Sequence, residues 1–407
     1  MQNTKYDSST LVAMEMIFNL VRAIDDKKKL SFIIPYFMNN LNNKKYLIKI
    51  VSLKYIFDIF YLIDYSKLIL PVTEYNYFHT YVFPFFSEFT KDSQLIIEFF
   101  NNLEKIIELE SIFLDITLKS KIFYLKQKNK AKNDKKDENE KINKKNLMLE
   151  IYQDYDNSKE EFINSLLKII TDVIGGNNEV DLLILVIRKL PVALEFMGKG
   201  KQNELNILVF NNFNKREWIL QKDILKQIPK MLKVLGRNNL INSILPCLEM
   251  FVINNSNEIK IIELIKTLIK CINMGYLYPK EACPLFNKLI NFILHPNINI
   301  RFYLIELLTI ILSKLTNEEA FIYLYKSINK YIEVPLIEID INFIKENFLQ
   351  NISRVTYQLE LENISFDNEC FKNYEYIKIL PLLKVYIEHF KNGDNLAYND
   401  IVDKNYE

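Results

Sequence analysis

Three short phrases, each followed by an apolar run, recur between Phe213 and Arg301 and limit what this chain can fold into. Asn214-Lys-Arg-Glu-Trp218-Ile-Leu220-Gln221 opens the first run and Asn257-Glu-Ile259-Lys-Ile-Ile262 the second. His295-Pro296-Asn297-Ile-Asn-Ile-Arg301 opens the third. With Trp218, Ile259 and Ile298 set equivalent, the phrases lie 41 and 39 residues apart. From Ile259 to Ile272 only Lys260, Glu263, Lys266, Thr267 and Lys270 are polar, and they fall at helical spacing on one narrow face. A helix that is apolar around the rest of its circumference must be sandwiched between neighbours. Gly236 and Gly275 stand where helix-ending glycines would, and Asn238 and Asn257 where polar caps would.

A second phrase, apolar-Pro-apolar, marks the other helix of each pair. It occurs around Pro35, Pro84, Pro246 and Pro284. Proline at one place in each unit gives that helix a regular bend, or sits harmlessly in its first turn. A two-helix period near 40 residues is the signature of HEAT or armadillo repeats. The expected fold is therefore all-α, a right-handed α-solenoid of HEAT/armadillo-like helical repeats with about seven or eight units. Such stacks bind and hold partners and seldom do chemistry.

Composition agrees. Only 7 Gly and 11 Pro in 407 residues argue for helices joined by short turns and against a β-rich fold. The 52 basic and 51 acidic residues leave a formal charge of +1, which argues against a nucleic-acid partner. The four cysteines form no CxxC pair and the three histidines are far apart, so no metal ligand, cofactor-binding residue or catalytic residue is expected. Met1–Thr10 is polar and lacks a signal-peptide core. Tyr55–Val72 is broken by Asp58, Asp64 and Lys67, so it is not expected to span a membrane. Gly198-Lys-Gly-Lys201 fails the phosphate-loop pattern, which needs Gly at Glu195 and Ser or Thr at Gln202.

Helices are expected over Asp7–Ile24 and Lys44–Ile63, the first with Asp7 or Ser8 as its cap. From 127 to 146 the chain is almost all Lys, Asn, Asp and Glu, which predicts a disordered insert or a frayed helix. The expected division is 1–126 and 147–351 as repeats around that insert, then a weakly structured tail, 352–407, with one short helix over Tyr374–Phe390.

The Trp218, Pro246, Gly275-Tyr-Leu-Tyr and His295-Pro296-Asn297…Arg301 phrases stand in an order and spacing that resemble a known family. They are similar to the HEAT-repeat region of regulatory subunit 4, the large regulatory subunit of class III phosphatidylinositol 3-kinase. Upstream, Ala23-Ile-Asp-Asp…Ile34-Pro35-Tyr and His79-Thr-Tyr-Val-Phe-Pro84 resemble its earlier repeats. The likeness runs from about Asp7 to Pro335. It departs at Gln221, where the family has Arg, and at Asn299, where it has Trp. The family's kinase-like domain and Trp-Asp-repeat propeller are not visible, since there is no Gly-rich loop, His-Arg-Asp or Asp-Phe-Gly phrase.

The resemblance implies a non-catalytic scaffold that holds the lipid kinase's catalytic subunit and its coiled-coil adaptor subunits. It implies a cytoplasmic protein, peripheral on endosomal, vacuolar or autophagic membranes through that complex, where phosphatidylinositol 3-phosphate is made. The residues alone leave a generic HEAT adaptor open. The family-motif residues Pro35, Pro84, Trp218, Leu220, Pro246, Gly275, His295, Pro296, Asn297 and Arg301 are read as structural. Trp218 is either a knob between units or a partner anchor. Arg301 pairs either with an acidic or carbonyl group of the next unit or with an acidic partner, and His295 closes a turn.

Overall fold

The computed structural model describes residues 7–87, 93–130, 138–176, 179–201, 217–253, 257–334, 336 and 339–355. Among them the chain is helical, with turns and one isolated antiparallel bridge between Ile332 and Phe348. It forms two compact units, Met1–Met197 and Gly198–Glu407. That boundary replaces the expected one at the charged insert, and the reason lies in the insert itself.

In the first unit α1 is Asp7–Leu20, α2 Ile34–Asn40, α3 Tyr46–Tyr61, α4 Phe83–Ser87 and α5 Ser93–Asn101. Two long helices follow, α6 (Leu103–Lys130) and α7 (Glu138–Gly175), and then α8 (Val180–Met197). Helix α3 packs on α1 and α2, α6 packs on α7, and α8 on α5, α6 and α7. The insert therefore joins two helices that pack against each other, and it cannot divide the fold. Most of its residues continue those helices, because extending a formed helix escapes the nucleation cost and Lys and Glu are good helix formers. Residues 131–137 lie outside the described ones. The core is aromatic: Phe113 on α6 meets the rings of Phe60, Tyr65, Tyr77 and Phe78 at centroid distances of 5.7, 5.7, 5.6 and 6.2 Å.

The second unit holds α9 (Trp218–Asn239), α10 (Leu245–Ile253), α11 (Glu258–Asn273), α12 (Pro279–Leu289), α13 (Ile298–Leu312), α14 (Asn317–Ile328) and α15 (Ile341–Asn347). Helices α9, α11 and α13 pack in one row and α10, α12 and α14 in a second, with α12 bridging to α13. This two-layer stack of helical pairs is the expected solenoid architecture. The residues just before α9, α11 and α13 are Glu217, Asn257 and Asn297, each 40 apart. The true equivalence is thus Trp218, Glu258 and Ile298. Matching Trp218 to Ile259 aligned apolar with apolar and slipped one residue; the caps, not the greasiest residue, set the register.

The proline phrase has a more specific outcome than a bend. Before Pro35, Pro84 and Pro246 the helix widens into a π turn, at Lys29–Ile33, Phe78–Val82 and Leu240–Ile244. The residue preceding each proline donates its N–H to the carbonyl five back: Ile34 to Lys29, Phe83 to Phe78 and Leu245 to Leu240. Proline cannot donate and its ring collides with the carbonyl four back in a regular helix, so the wider turn relieves the clash. The Leu30 carbonyl near the first of these turns accepts from Tyr77 Oη at 2.7 Å. Pro284 differs, sitting inside α12 with no π turn before it.

Candidate functional site

For a stack of helical pairs the functional elements are the groups that hold neighbouring pairs in register and the face left uncovered. The first set is a polar ladder in the second unit. Lys260 Nζ on α11 donates to Gln221 Oε1 on α9 at 2.9 Å, both side chains being buried. Two turns on, the Thr267 hydroxyl lies 3.0 Å from the Leu225 carbonyl on α9 and 2.8 Å from the Glu263 carbonyl of its own helix, and its one proton is shared between them. The next step is bridged at other positions: Asn297 Nδ2 donates to Glu258 Oε2, and Lys314 Nζ to the Ile272 carbonyl at 3.0 Å. In the second row Lys288 Nζ pairs with Glu249 at 2.9 Å, and between the rows Arg237, just past the Gly236 kink of α9, pairs with Glu281 on α12. These buried polar groups are tolerated because they find partners in the adjacent repeat, whereas the buried Gln227 Oε1 on α9 has none among the described residues. Burial also holds the Lys260 ammonium below its ordinary range.

This ladder reverses one expectation. Lys260, Glu263 and Thr267 do not lie on a solvent face but are buried between helices. The uncovered face of α11 carries Ile259 and Lys270, with Ile262 and Lys266 half-buried and Lys266 Nζ 4.4 Å from the Tyr303 ring. Sequence periodicity found one polar stripe where there are two, one spent on the neighbouring repeat and one on water.

The residues singled out from sequence fall in three places. Pro35, Pro84 and Pro246 each stand second in a helix after a π turn. Leu220 is fully buried in the row of α9. Trp218, at the first position of α9, is 37% exposed with Lys222 Nζ 6.0 Å from its ring. Gly275 ends α11 with φ +77°. Its N–H bonds to the Ile272 carbonyl and the Tyr276 N–H to Cys271, a Schellman closure that needs a residue free of Cβ strain. Asn257 caps α11 through the amides of Ile259 and Lys260, whereas Asn238 caps no helix and Asn239 bonds back to the Leu235 carbonyl.

The third phrase forms a cluster at the start of α13. His295, 2% exposed, accepts the Asn297 N–H on Nδ1 at 3.0 Å, and Pro296 carries the chain between them. Asn297 caps α13 by accepting from the Asn299 N–H at 3.0 Å. Burial drives the His295 pKa down to about 4, with Glu258 opposing and Arg354 reinforcing the shift. The ring is therefore neutral and fixed as an acceptor on Nδ1. Arg301 donates to the carbonyls of Leu349 at 2.6 Å and Phe348 at 3.4 Å, fastening the following segment to α13. These are carbonyl partners in the segment just after α15. The sequence did not single out Gln221 and Lys260 as a buried pair; their 39-residue separation, one repeat, is the signal that could have found them.

Among the described residues no group of three His, Cys, Asp or Glu side chains could hold a metal ion, and no helix is long and apolar enough to cross a membrane. Burial pushes the Cys271 and Cys283 thiols up to about 12, which leaves them protonated and unreactive. Gly198 has φ +70° and leads into a short 3-10 turn over Lys199–Lys201.

The family model described as PIK3R4-like, middle domain, matches residues 1–361. The chain belongs to this family. A relative, the probable serine/threonine-protein kinase vps15 of Dictyostelium discoideum, is 20% identical over 322 residues. The aligned part is 78% of this chain but 15% of that protein, so the chain spans about a seventh of the relative's length. The matched region is a middle domain by its description.

Proposed function

We propose that this PIK3R4-like chain is a non-catalytic scaffold region of a class III phosphatidylinositol 3-kinase complex. In this reading it holds the catalytic subunit and the coiled-coil adaptors relative to a membrane, and so supports phosphatidylinositol 3-phosphate production in endosomal and vacuolar sorting and autophagy. The observation that carries the reading is the family match over 1–361 to a middle domain built as a register-locked stack of helical pairs. A stiff stack with an extended uncovered face suits positioning of partners, and no residue is assigned a chemical step. Membrane association then comes through the partners; the chain's formal charge of +1 gives no general pull toward anionic lipid.

The test is co-expression with the same organism's class III catalytic subunit and purification through a tag on this chain. Stoichiometric recovery that survives about 0.5 M salt, where surface charges are screened, is the expected result. No recovery, from a chain shown to be folded and helical by circular dichroism, overturns the specific complex and leaves a general HEAT-repeat adaptor.

A further inference from the structure

The stripe that α9 leaves out of its core before the Gly236 kink opens with Trp218 and Ile219 and continues as Lys222, Lys226, Lys230 and Lys233. At helical spacing these six fall within about a third of the circumference, and the four lysines run about 16 Å along the axis. Lys222 and Lys226 are half-buried, Lys230 and Lys233 exposed. On α11, one repeat on, Lys270 is exposed at the register of Lys230, while Lys266 is half-buried over the Tyr303 ring. The acids of these two helices do not answer the stripe: Asp223 and Glu263 are buried, and Glu258 bonds Asn297 and Arg354. Among the described residues Lys226, Lys230, Lys233 and Lys270 enter no ion pair. Lysines of the second row do: Lys288 pairs with Glu249 at 2.9 Å and Lys280 with Glu319 at 2.6 Å. On α13 the register position of Lys226 is Glu306, so the positive charge stops at α11.

Four lysines in line on one helix, with an indole and an aliphatic side chain at one end, call for a ligand whose negative charge is also in line. We propose that this stripe docks an acidic α-helix of a partner protein. Its carboxylates recur every three or four residues over three turns, facing Lys222, Lys226, Lys230 and Lys233, with an apolar residue over Trp218 and Ile219. The charge pattern selects this occupant. Along α9 the lysines advance about 5.5 Å per step, which is the pitch of a second helix laid along the first. An extended chain places same-side residues about 6.7 Å apart and falls out of step by about 4 Å over the stripe. An anionic membrane asks for a broad positive plane, whereas here the charge is confined to two adjacent helices and gives way to a carboxylate at Glu306. Lys270, on a helix about 8–10 Å away, answers an acid on the flank of the docked helix. Single exposed ion pairs contribute little, so binding rests on the set acting together and weakens with salt. This names the chemistry of one partner and does not depend on that partner being the lipid kinase.

The test is fluorescence anisotropy of the full chain with an alanine-based helical peptide, at about 50 mM salt, where screening is weak. The peptide carries glutamates at i, i+4, i+8 and i+11 and a leucine one turn beyond them. A control peptide has the same composition with its glutamates spread around the helix. The patterned peptide should bind roughly tenfold tighter than the control, and K226E/K230E/K233E should lose about tenfold of that affinity. A third peptide, with lysines in place of the glutamates, should bind this variant about tenfold tighter than it binds wild type, which separates docking from a folding defect. Equal affinity for the patterned and control peptides would mean diffuse attraction and overturns the proposal, as does a variant that binds like wild type. If the patterned peptide fails to bind while phosphatidylserine vesicles bind wild type and not the variant, the stripe belongs to a membrane and the proposal falls. Failure of both probes also overturns it.

Discussion

The row α9–α11–α13 and the α6–α7 region both bury apolar helices, but they specify register by different physics. In the second unit the partners in the ladder are 39 or 42 residues apart: Gln221 with Lys260, Leu225 with Thr267, Glu258 with Asn297, Ile272 with Lys314. In the first unit the tying bonds run from Leu70 to Ser120, Asn76 to Thr117 and Ser158, and Tyr77 to Leu30, separations of 50, 41, 82 and 47 that follow no period. There, interlocking rings around Phe113 select one arrangement. The difference teaches that a periodic stack is kept in step by polar pairs one repeat apart at each boundary, which a one-turn slip would orphan. An aperiodic one relies on shapes that fit only once.

The largest expected effect tests the aromatic side. Phe113→Ala should cost about 3–5 kcal/mol, read from the urea midpoint and from faster hydrogen exchange at α6 amides. A cost under about 1 kcal/mol would show that the ring cluster does not specify the first unit.

Next come two buried titrating groups whose pH effects oppose each other. Glu110 on α6 is 1% exposed, and burial raises its pKa to about 8. The folded state thus keeps a proton that the unfolded chain loses near 4.5, so this contribution to stability falls as pH rises from 4.5 to 8. Glu110→Gln should abolish that slope and raise stability at pH 9 by a few kcal/mol, by thermal melts across pH. His295 has the opposite sign: its pKa is lowered to about 4, so stability is lost as pH falls from 6.5 toward 4. His295→Asn should flatten that limb, and equal acid sensitivity of mutant and wild type would remove His295 from the account.

The ladder gives a smaller effect. Lys260→Ala leaves the Gln221 side chain without this bond in a buried position and should cost about 1–3 kcal/mol. The double change Gln221→Leu with Lys260→Met should be nearly neutral in stability, because both polar groups leave together. A double mutant as damaged as the single would mean that the pair is not coupled. Smallest is Gly275→Ala, where a Cβ meets open space but the backbone is left-handed. It should cost about 1–2 kcal/mol from backbone strain alone, measured by denaturation.

Much of the repeat architecture was legible in the residues. The Lys44–Ile63 expectation became α3 at Tyr46–Tyr61, and Asp7–Ile24 became α1 with a 3-10 turn to Ala23. Asn257 and Gly275 announced helix ends because capping is local chemistry, while Asn238, read the same way, caps no described helix. What escaped depends on non-local partners. Lys260 looks solvent-facing until Gln221 is beside it, and the π turn before Pro35 goes with a Tyr77 hydroxyl on the Leu30 carbonyl 47 residues away. The charged insert read as a divider because composition does not reveal that its flanking helices pack together. The tail helix expected over Tyr374–Phe390 lies outside the described residues. Of the site, the turn at His295–Asn297 and the anchoring by Arg301 were readable, and the exposure of Trp218 was not.

The central claim is that the chain works by holding a partner across several repeats. The most direct measurement is hydrogen exchange of the whole chain with and without a saturating class III catalytic subunit. The account predicts new protection on uncovered faces of at least two successive helical pairs, with core amides unchanged. No protected segment, from a folded chain at saturating partner, would contradict it.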